Sequence, residues 1–318
     1  MRTITINKND SGQRLDKFLG KRFKTLPIPL MYKYIRTKYI KVNGKKCENS
    51  TRLCEGDIIT LYIKDEFFEE SPYDTYDFLK APVKLDVIYE DENIILLNKP
   101  AGLLCHPDEN YHFDSLLARL QHYLYDKKEY DPKAENSFAP SLANRIDRNT
   151  GGIVIACKNS EALRILNQKI KEREIKKLYL CVVHGILKKK QDTLIAYLEK
   201  NEDQNRVYVS SKPSKNSKTI KTSYRVLKEF NNMSLLEVDL LTGRTHQIRA
   251  HMAYIGHPLV GDGKYGTNKQ NKVTNLKWQA LCSYKLTFEF TTDGGVLNYL
   301  NGRSFEIDDI WFRKYIKY

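Results

Sequence analysis

The chain contains no run approaching 18 uninterrupted apolar residues, which argues against a membrane-crossing helix. Its six cysteines (Cys47, Cys54, Cys105, Cys157, Cys181 and Cys282) are scattered and include no C-x-x-C pair. In a chain of 318 residues they read as reduced thiols rather than as a disulfide frame. The first ten residues, MRTITINKND, alternate polar and apolar like a strand and lack the apolar stretch of a secretory leader. No internal repeat is visible. The expectation is a cytoplasmic protein with no membrane span. Negative charge is also scarce. Against 53 Lys and Arg stand 39 Asp and Glu, leaving +14, a balance that favours a polyanionic partner without specifying a fold.

What is present divides into two parts, as the length alone suggests. Residues 1–65 hold 15 Lys and Arg against six acids, so most of the net charge lies in the first fifth of the chain. Within it, Leu15, Phe18 and Leu19 recur at helical spacing, with Lys17 among them. A second helix is expected from about Leu30 to Lys38, carrying Arg36. KYIKVNG, with Lys41, reads as a strand entering an Asn43-Gly44 turn, and IITLYI closes the unit as another strand. Residues 66–80 carry five acids, one base and Pro72 with no clear period, the composition of a linker.

From residue 81 to 318 strands and helices alternate without the regular repeat of a doubly wound fold, an α+β pattern with a mostly antiparallel sheet. LDVIYE and NIILLNKP read as paired strands, and TGGIVIA as a continuous apolar strand. Asn159 or Ser160 should cap a helix running to about Glu174, with Leu163, Leu166 and Ile170 inward. KLYLCVVHG, SLLEVDLLTG and KLTFEFTT follow as strands, and residues 199–222 look like a polar surface excursion.

Three distant segments carry the polar chemistry. In Ser141–Gly152, Asp147 stands in a polar turn directly ahead of a buried strand; alone, such an Asp reads as a turn-former. Tyr179 lies near the start of a strand, where a tyrosine is ordinarily core. Leu241–Met252 holds two arginines and two histidines within eight residues and continues into Gly256-His257-Pro258-Leu259-Val260-Gly261-Asp262. A solvated basic face is the plain alternative there.

Together these segments resemble the RluA-type pseudouridine synthases, whose hallmark is H-R-L-D-x-x-T-S-G before a strand. Asn98-Lys99-Pro100-Ala101-Gly102, His106-Pro107, the Lys177–Gly185 strand, the T-G-R-T-H-Q-I-R run and Tyr265-Gly266 extend the likeness over essentially the whole chain. Residues 12–63 likewise resemble the S4 RNA-binding domain, through Arg14-Leu15-Asp16, Tyr34-Ile35-Arg36, Lys41-Val42-Asn43-Gly44 and Gly56-Asp57. The sequence departs from the hallmark at Asn144, where the family usually has His, and within Gly151-Gly152, where the hallmark reads Ser-Gly.

The resemblance implies isomerisation of uridine to pseudouridine in RNA, with large-subunit ribosomal RNA favoured over transfer RNA. It needs no cofactor, and a monomer is expected. Asp147 would be the carboxylate near C1′, whether it attacks C1′, adds to the ring or abstracts a sugar proton. Arg249 would keep it ionised and oriented in a dry cleft. Tyr179 would stack on the flipped uracil and accept or relay a proton at C5. Leu259 would pack against the base or simply fill the core. Arg145 would take the vacated space or hold a phosphate. Lys17, Arg36 and Lys41 would grip RNA from the S4 domain. Two other readings fail on spacing. Gly261–Gly266 matches G-x-G-x-x-G but does not open a helix in a βαβ unit. His246 and His251 are five apart, not the four of a zinc helix. The remaining rival is a non-catalytic RNA-binding or ribosome-assembly factor with an inactive synthase domain.

Overall fold

A computed structural model of the chain describes residues 1–316 except 69–75, 109–112, 202–203, 205, 268–270 and 272–275. At the N-terminus, β1 (Arg2–Thr5), β2 (Ile40–Val42), β3 (Lys45–Lys46) and β4 (Ile58–Leu61) form a sheet in the order β1-β4-β2-β3. Two helices, α1 (Leu15–Arg22) and α2 (Ile28–Arg36), cover it. Leu15, Phe18 and Leu19 are fully buried, as their spacing requires, and pack on Ile40, Ile59 and Leu61. The second helix begins two residues earlier than expected, because Pro27 and Pro29 supply a backbone suited to a helix start. It ends at Arg36, and Lys38 turns into the left-handed region with φ 65°. Asn43 and Gly44, both at positive φ, make the tight β2–β3 hairpin.

The acidic stretch is partly structured at its flanks. Phe67, in a single turn over Asp65–Phe68, closes the N-terminal core, and Phe78, in a turn over Asp77–Lys80, packs on Ala81 and Ala118. Residues 69–75 lie outside the described part.

The remainder is built on an eleven-stranded, mostly antiparallel sheet, as the pattern predicts. Its strands are β5 (Val87–Glu90), β6 (Ile94–Lys99), β7 (Ser141–Leu142), β8 (Gly151–Cys157), β9 (Ile175–His184), β10 (Gln191–Asn201), β11 (Arg206–Ser210), β12 (Lys218–Phe230), β13 (Met233–Leu240), β14 (Leu281–Phe288) and β15 (Ser304–Glu306). The main path runs β11-β10-β12-β13-β9-β14-β8-β6-β5; β15 pairs with β14 and β7 with β8. Among the described residues, only β8 and β14 pair in parallel. All seven β8 residues are buried, which is why that strand shows no alternation in sequence. Ile153 and Ile155 face one core with α4 (Ser160–Lys171), while Val154 and Ala156 face another with α3 (Leu116–Asp126).

Two expectations change. Asn159 does cap α4, its side chain accepting from the Ala162 amide, but the helix stops at Lys171. Arg173 then takes φ 66°, and Lys169 turns inward to Glu174 and the Thr292 carbonyl. The stretch 199–222 is no simple excursion: β10, β11 and β12 run through much of it as the sheet's edge. Its alternating exposed and buried residues fit a strand with one wet face.

The two units meet through hydrogen bonds. Asp10 is fully buried; its carboxylate accepts from Ser137 Oγ at 2.6 Å and from Asn136 Nδ2 at 2.7 Å. Asn7 and Asn9 both donate to Glu135, and Arg164 donates to the Ser11 carbonyl. Among the described residues, no hydrophobic cluster is shared between the two units.

Candidate active site

Asp147 sits on the loop between β7 and β8, held by its own chain: the Thr150 amide donates to the Asp147 carbonyl at 3.0 Å. The loop is pinned from the far side by Lys99. This buried ammonium, at the end of β6, donates to the carbonyls of Pro100, Leu103 and Arg148 at 3.0, 2.7 and 2.9 Å. Burial pulls its pKa down to about 8, against a small upward pull from Cys105 and Asp147. Asn144 stitches the loop to β8 by accepting from the Ile155 amide at 2.8 Å.

α5 (Gln247–Tyr254) brings the opposing charge. Arg249 is 6% exposed. Its Nη1 donates to Asp147 Oδ2 at 3.2 Å, while Nε and Nη2 form a fork on Asp262 at 2.7 and 2.9 Å. Asp262 is fully buried and also accepts from the Lys264 and Tyr265 amides. Burial alone would raise its pKa, but Arg249 and those amides hold it below the usual carboxylate range. One guanidinium therefore joins a buried carboxylate to a partly exposed one, whose side chain keeps 25% of its surface in solvent. Among the described residues, Asp147 Oδ1 accepts no hydrogen bond.

α5 is polar yet buried because each polar side chain has a partner. Gln247 donates to the Lys221 carbonyl and to Thr222 Oγ1, and His251 shares a 3.0 Å hydrogen bond with Thr222 Oγ1. Burial drives the His251 pKa down to about 4, so it stays neutral. His246 and His251 thus have separate partners, and among the described residues no three His, Cys, Asp or Glu side chains converge as a metal site.

Tyr179, on β9, is 7% exposed. It belongs to one apolar cluster with Leu259, Ile248 and Met252, against which Ile146 packs from beside Asp147. Burial, reinforced by the Asp147 charge, pushes its phenol up to about 12. Leu259 is a fully buried member of this cluster, and its backbone bridges to Val183. Arg145 is exposed on the Asp147 loop. Lys17 and Arg36 are exposed on α1 and α2, and Lys41 lies over the Tyr62 ring at 5.6 Å. None of these four cations is in an ion pair among the described residues.

The structure thus joins Asp147 to Arg249 directly and brings Tyr179 and Leu259 into the adjoining cluster. Lys17, Arg36 and Lys41 belong to the other unit. Asp262 and Lys99 fall inside the sequence motifs, yet nothing in the sequence alone assigns them a role. A buried arginine facing a half-exposed carboxylate needs a second, buried anion, and Asp262 is the acid available in the G-H-P run.

A family model described as RNA pseudouridylate synthase matches residues 93–254. An uncharacterized RNA pseudouridine synthase of Mycoplasma capricolum is 33% identical over 306 residues, covering 95% of this chain and 96% of the relative. A ribosomal large subunit pseudouridine synthase C of Vibrio cholerae is 32% identical, with 85% and 82% covered. Among solved structures, human RNA pseudouridylate synthase domain containing 1 shares the fold, with a TM-score of 0.57 and 20% identity over 77% of this chain and 89% of that one. On these matches, the chain belongs to the RluA-type family of RNA pseudouridine synthases.

Proposed function

We propose that the chain isomerises uridine to pseudouridine in large-subunit ribosomal RNA, with Asp147 as the reacting carboxylate. The supporting observation is the Asp262–Arg249–Asp147 bridge. Asp262 fixes the guanidinium, the guanidinium occupies one Asp147 oxygen, and the other accepts no hydrogen bond among the described residues, on a side chain 25% exposed. The reaction breaks the C1′–N1 bond, turns the base and joins C5 to C1′. No electrons enter or leave, so its balance calls for no cofactor. Tyr179, its phenol held near 12, keeps its proton at neutral pH and serves as a stacking surface and proton relay at C5 rather than as a phenolate. Extruding the uridine costs on the order of a few kcal/mol, offset by phosphate contacts elsewhere. Arg145, exposed two residues before Asp147, is suited to the vacated position or a neighbouring phosphate. The V. cholerae relative's name points to large-subunit RNA as the first substrate to try.

Ribosomal RNA tritiated at uracil C5 tests this reading. The wild-type chain should release tritium and Asp147→Ala should release none while still binding RNA. Wild-type turnover by Asp147→Ala overturns the assignment. A chain that binds RNA without any release leaves the non-catalytic reading, which the geometry does not favour.

A further inference from the structure

His246 stands at the N-terminal end of α5 with φ 54° and ψ 18°. A non-glycine residue held there is uncommon and persists where its surroundings demand it. The demand does not come from the helix, since the side chain makes no cap hydrogen bond to α5. The ring is turned instead toward the site: Nε2 lies 3.9 Å from Asp147 Oδ2, and Nδ1 lies 2.9 Å from Tyr265 Oη. The side chain is only 12% exposed.

We propose that His246 is a positioning residue for Asp147, held by Tyr265 as the Nε2–H tautomer and donating to the carboxylate oxygen that Arg249 also holds. This rests on Asp147 being the reacting carboxylate. The tautomer follows from hydrogen-bond bookkeeping. Tyr265 Oη accepts from the Val207 amide at 3.1 Å, so its own hydrogen needs an acceptor, and His246 Nδ1 is the one within reach among the described residues. With Nδ1 accepting, the ring proton lies on Nε2, the nitrogen that faces Asp147.

The charge state agrees. Burial, with Arg249 and Lys264 nearby, lowers the His246 pKa against the opposing pull of Asp147, so the ring is neutral at neutral pH. A neutral donor orients Oδ2 without adding a second cation to the one Arg249 supplies. At 3.9 Å the contact is longer than a formed hydrogen bond. Such contacts in free enzymes commonly tighten once the substrate closes the site. Oδ2 would then carry two donors, and Oδ1 would be the oxygen left for the sugar or base. The chain of bonds also reaches β11, where the Arg206 guanidinium lies 5.2 Å from the Tyr265 ring centre.

The test uses the full-length chain, single-turnover tritium release and RNA affinity measured separately. His246→Ala should slow the chemical step about tenfold or more, the scale of a hydrogen bond to a charged group, with RNA affinity unchanged. His246→Gln, whose amide nitrogen falls near the Nε2 position, should recover most of the rate. Nitrogen-15 NMR of the histidine-labelled protein should show His246 protonated on Nε2 and not on Nδ1. In Tyr265→Phe that preference should be lost and the chemical step slowed. If His246→Ala does not fold, the Gln and Phe variants and the NMR signature carry the test. Full-rate release by His246→Ala, a Gln variant no better than Ala, or an Nδ1–H ring overturns the proposal while leaving Asp147 in place. No release from the wild-type chain overturns the Asp147 reading itself.

Discussion

Arg249 is held from both sides, and the two sides do different work. Asp262 is fully buried and takes the fork of the guanidinium, while Asp147 takes the remaining nitrogen and keeps a face in solvent. Removing Asp262 leaves a buried cation with one partner, so Asp262→Ala should cost about 3–5 kcal/mol of stability. Chemical denaturation measures that loss. Any folded fraction should also release tritium more slowly, because the guanidinium is free to turn. Gly152 makes a second residue-level point. It has φ 120°, and a Cβ there would stand 2.3 Å from the Ser283 carbonyl oxygen and 2.5 Å from its nitrogen. Gly152 is the glycine that closes the hallmark, and that glycine is therefore matched to the way β14 pairs with β8 at Ser283. Gly152→Ser should destabilise the chain by about 2 kcal/mol or more through strain and overlap, read as a lowered denaturation midpoint.

Among the elements, α5 shows what sequence patterns hide. Arg249 and His251 in one short helix suggest a wet face, yet both are buried, because their partners (Asp262 and Thr222) come from other parts of the chain. The motif marks Arg249 as important; its burial depends on contacts no periodicity encodes. The β10–β12 edge is hidden for the opposite reason: its lysines and serines look like loop, but many of them are simply the solvent side of strands. By contrast, β8 and the Asn159 cap are legible, since an unbroken apolar run and a capping residue act locally. The end of α4 supplies a pH test. Lys169 and the hydroxyls of Thr291 and Thr292 bring the Glu174 pKa down from 4.5 to about 2. A carboxylate more acidic in the folded state contributes fully above its ordinary value and loses that contribution as pH falls toward the folded one. Wild-type stability should therefore drop between pH 4.5 and about 2 more steeply than that of Glu174→Gln, compared by denaturant midpoints across that range.

For the whole molecule, charge is separated from chemistry: the basic N-terminal unit carries Lys17, Arg36 and Lys41, whereas Asp147 and Arg249 lie in the other. We expect the triple alanine variant at the three cations to bind RNA more weakly. The slope of log affinity against log salt should shrink by roughly 0.7–0.9 for each phosphate that is no longer neutralised. Single-turnover rate at saturating RNA should hold, because all three belong to the N-terminal unit and none bonds to Asp147 or Arg249; an unchanged slope would remove the RNA-grip role. The basic stretch coincides with a separate four-stranded sheet, but its docking on the rest is not legible, since that rests on Asn, Ser and Gln side chains that carry no pattern.

That docking has a mechanical meaning. A seam of directional bonds around Asp10 and Glu135 fixes the angle at which the head meets the body more firmly than it glues them together, because water satisfies the same donors and acceptors once they part. Among the described residues, no hydrophobic cluster spans the seam. The head is thus mounted like a tool in an indexed holder, its angle set by where the donors and acceptors meet.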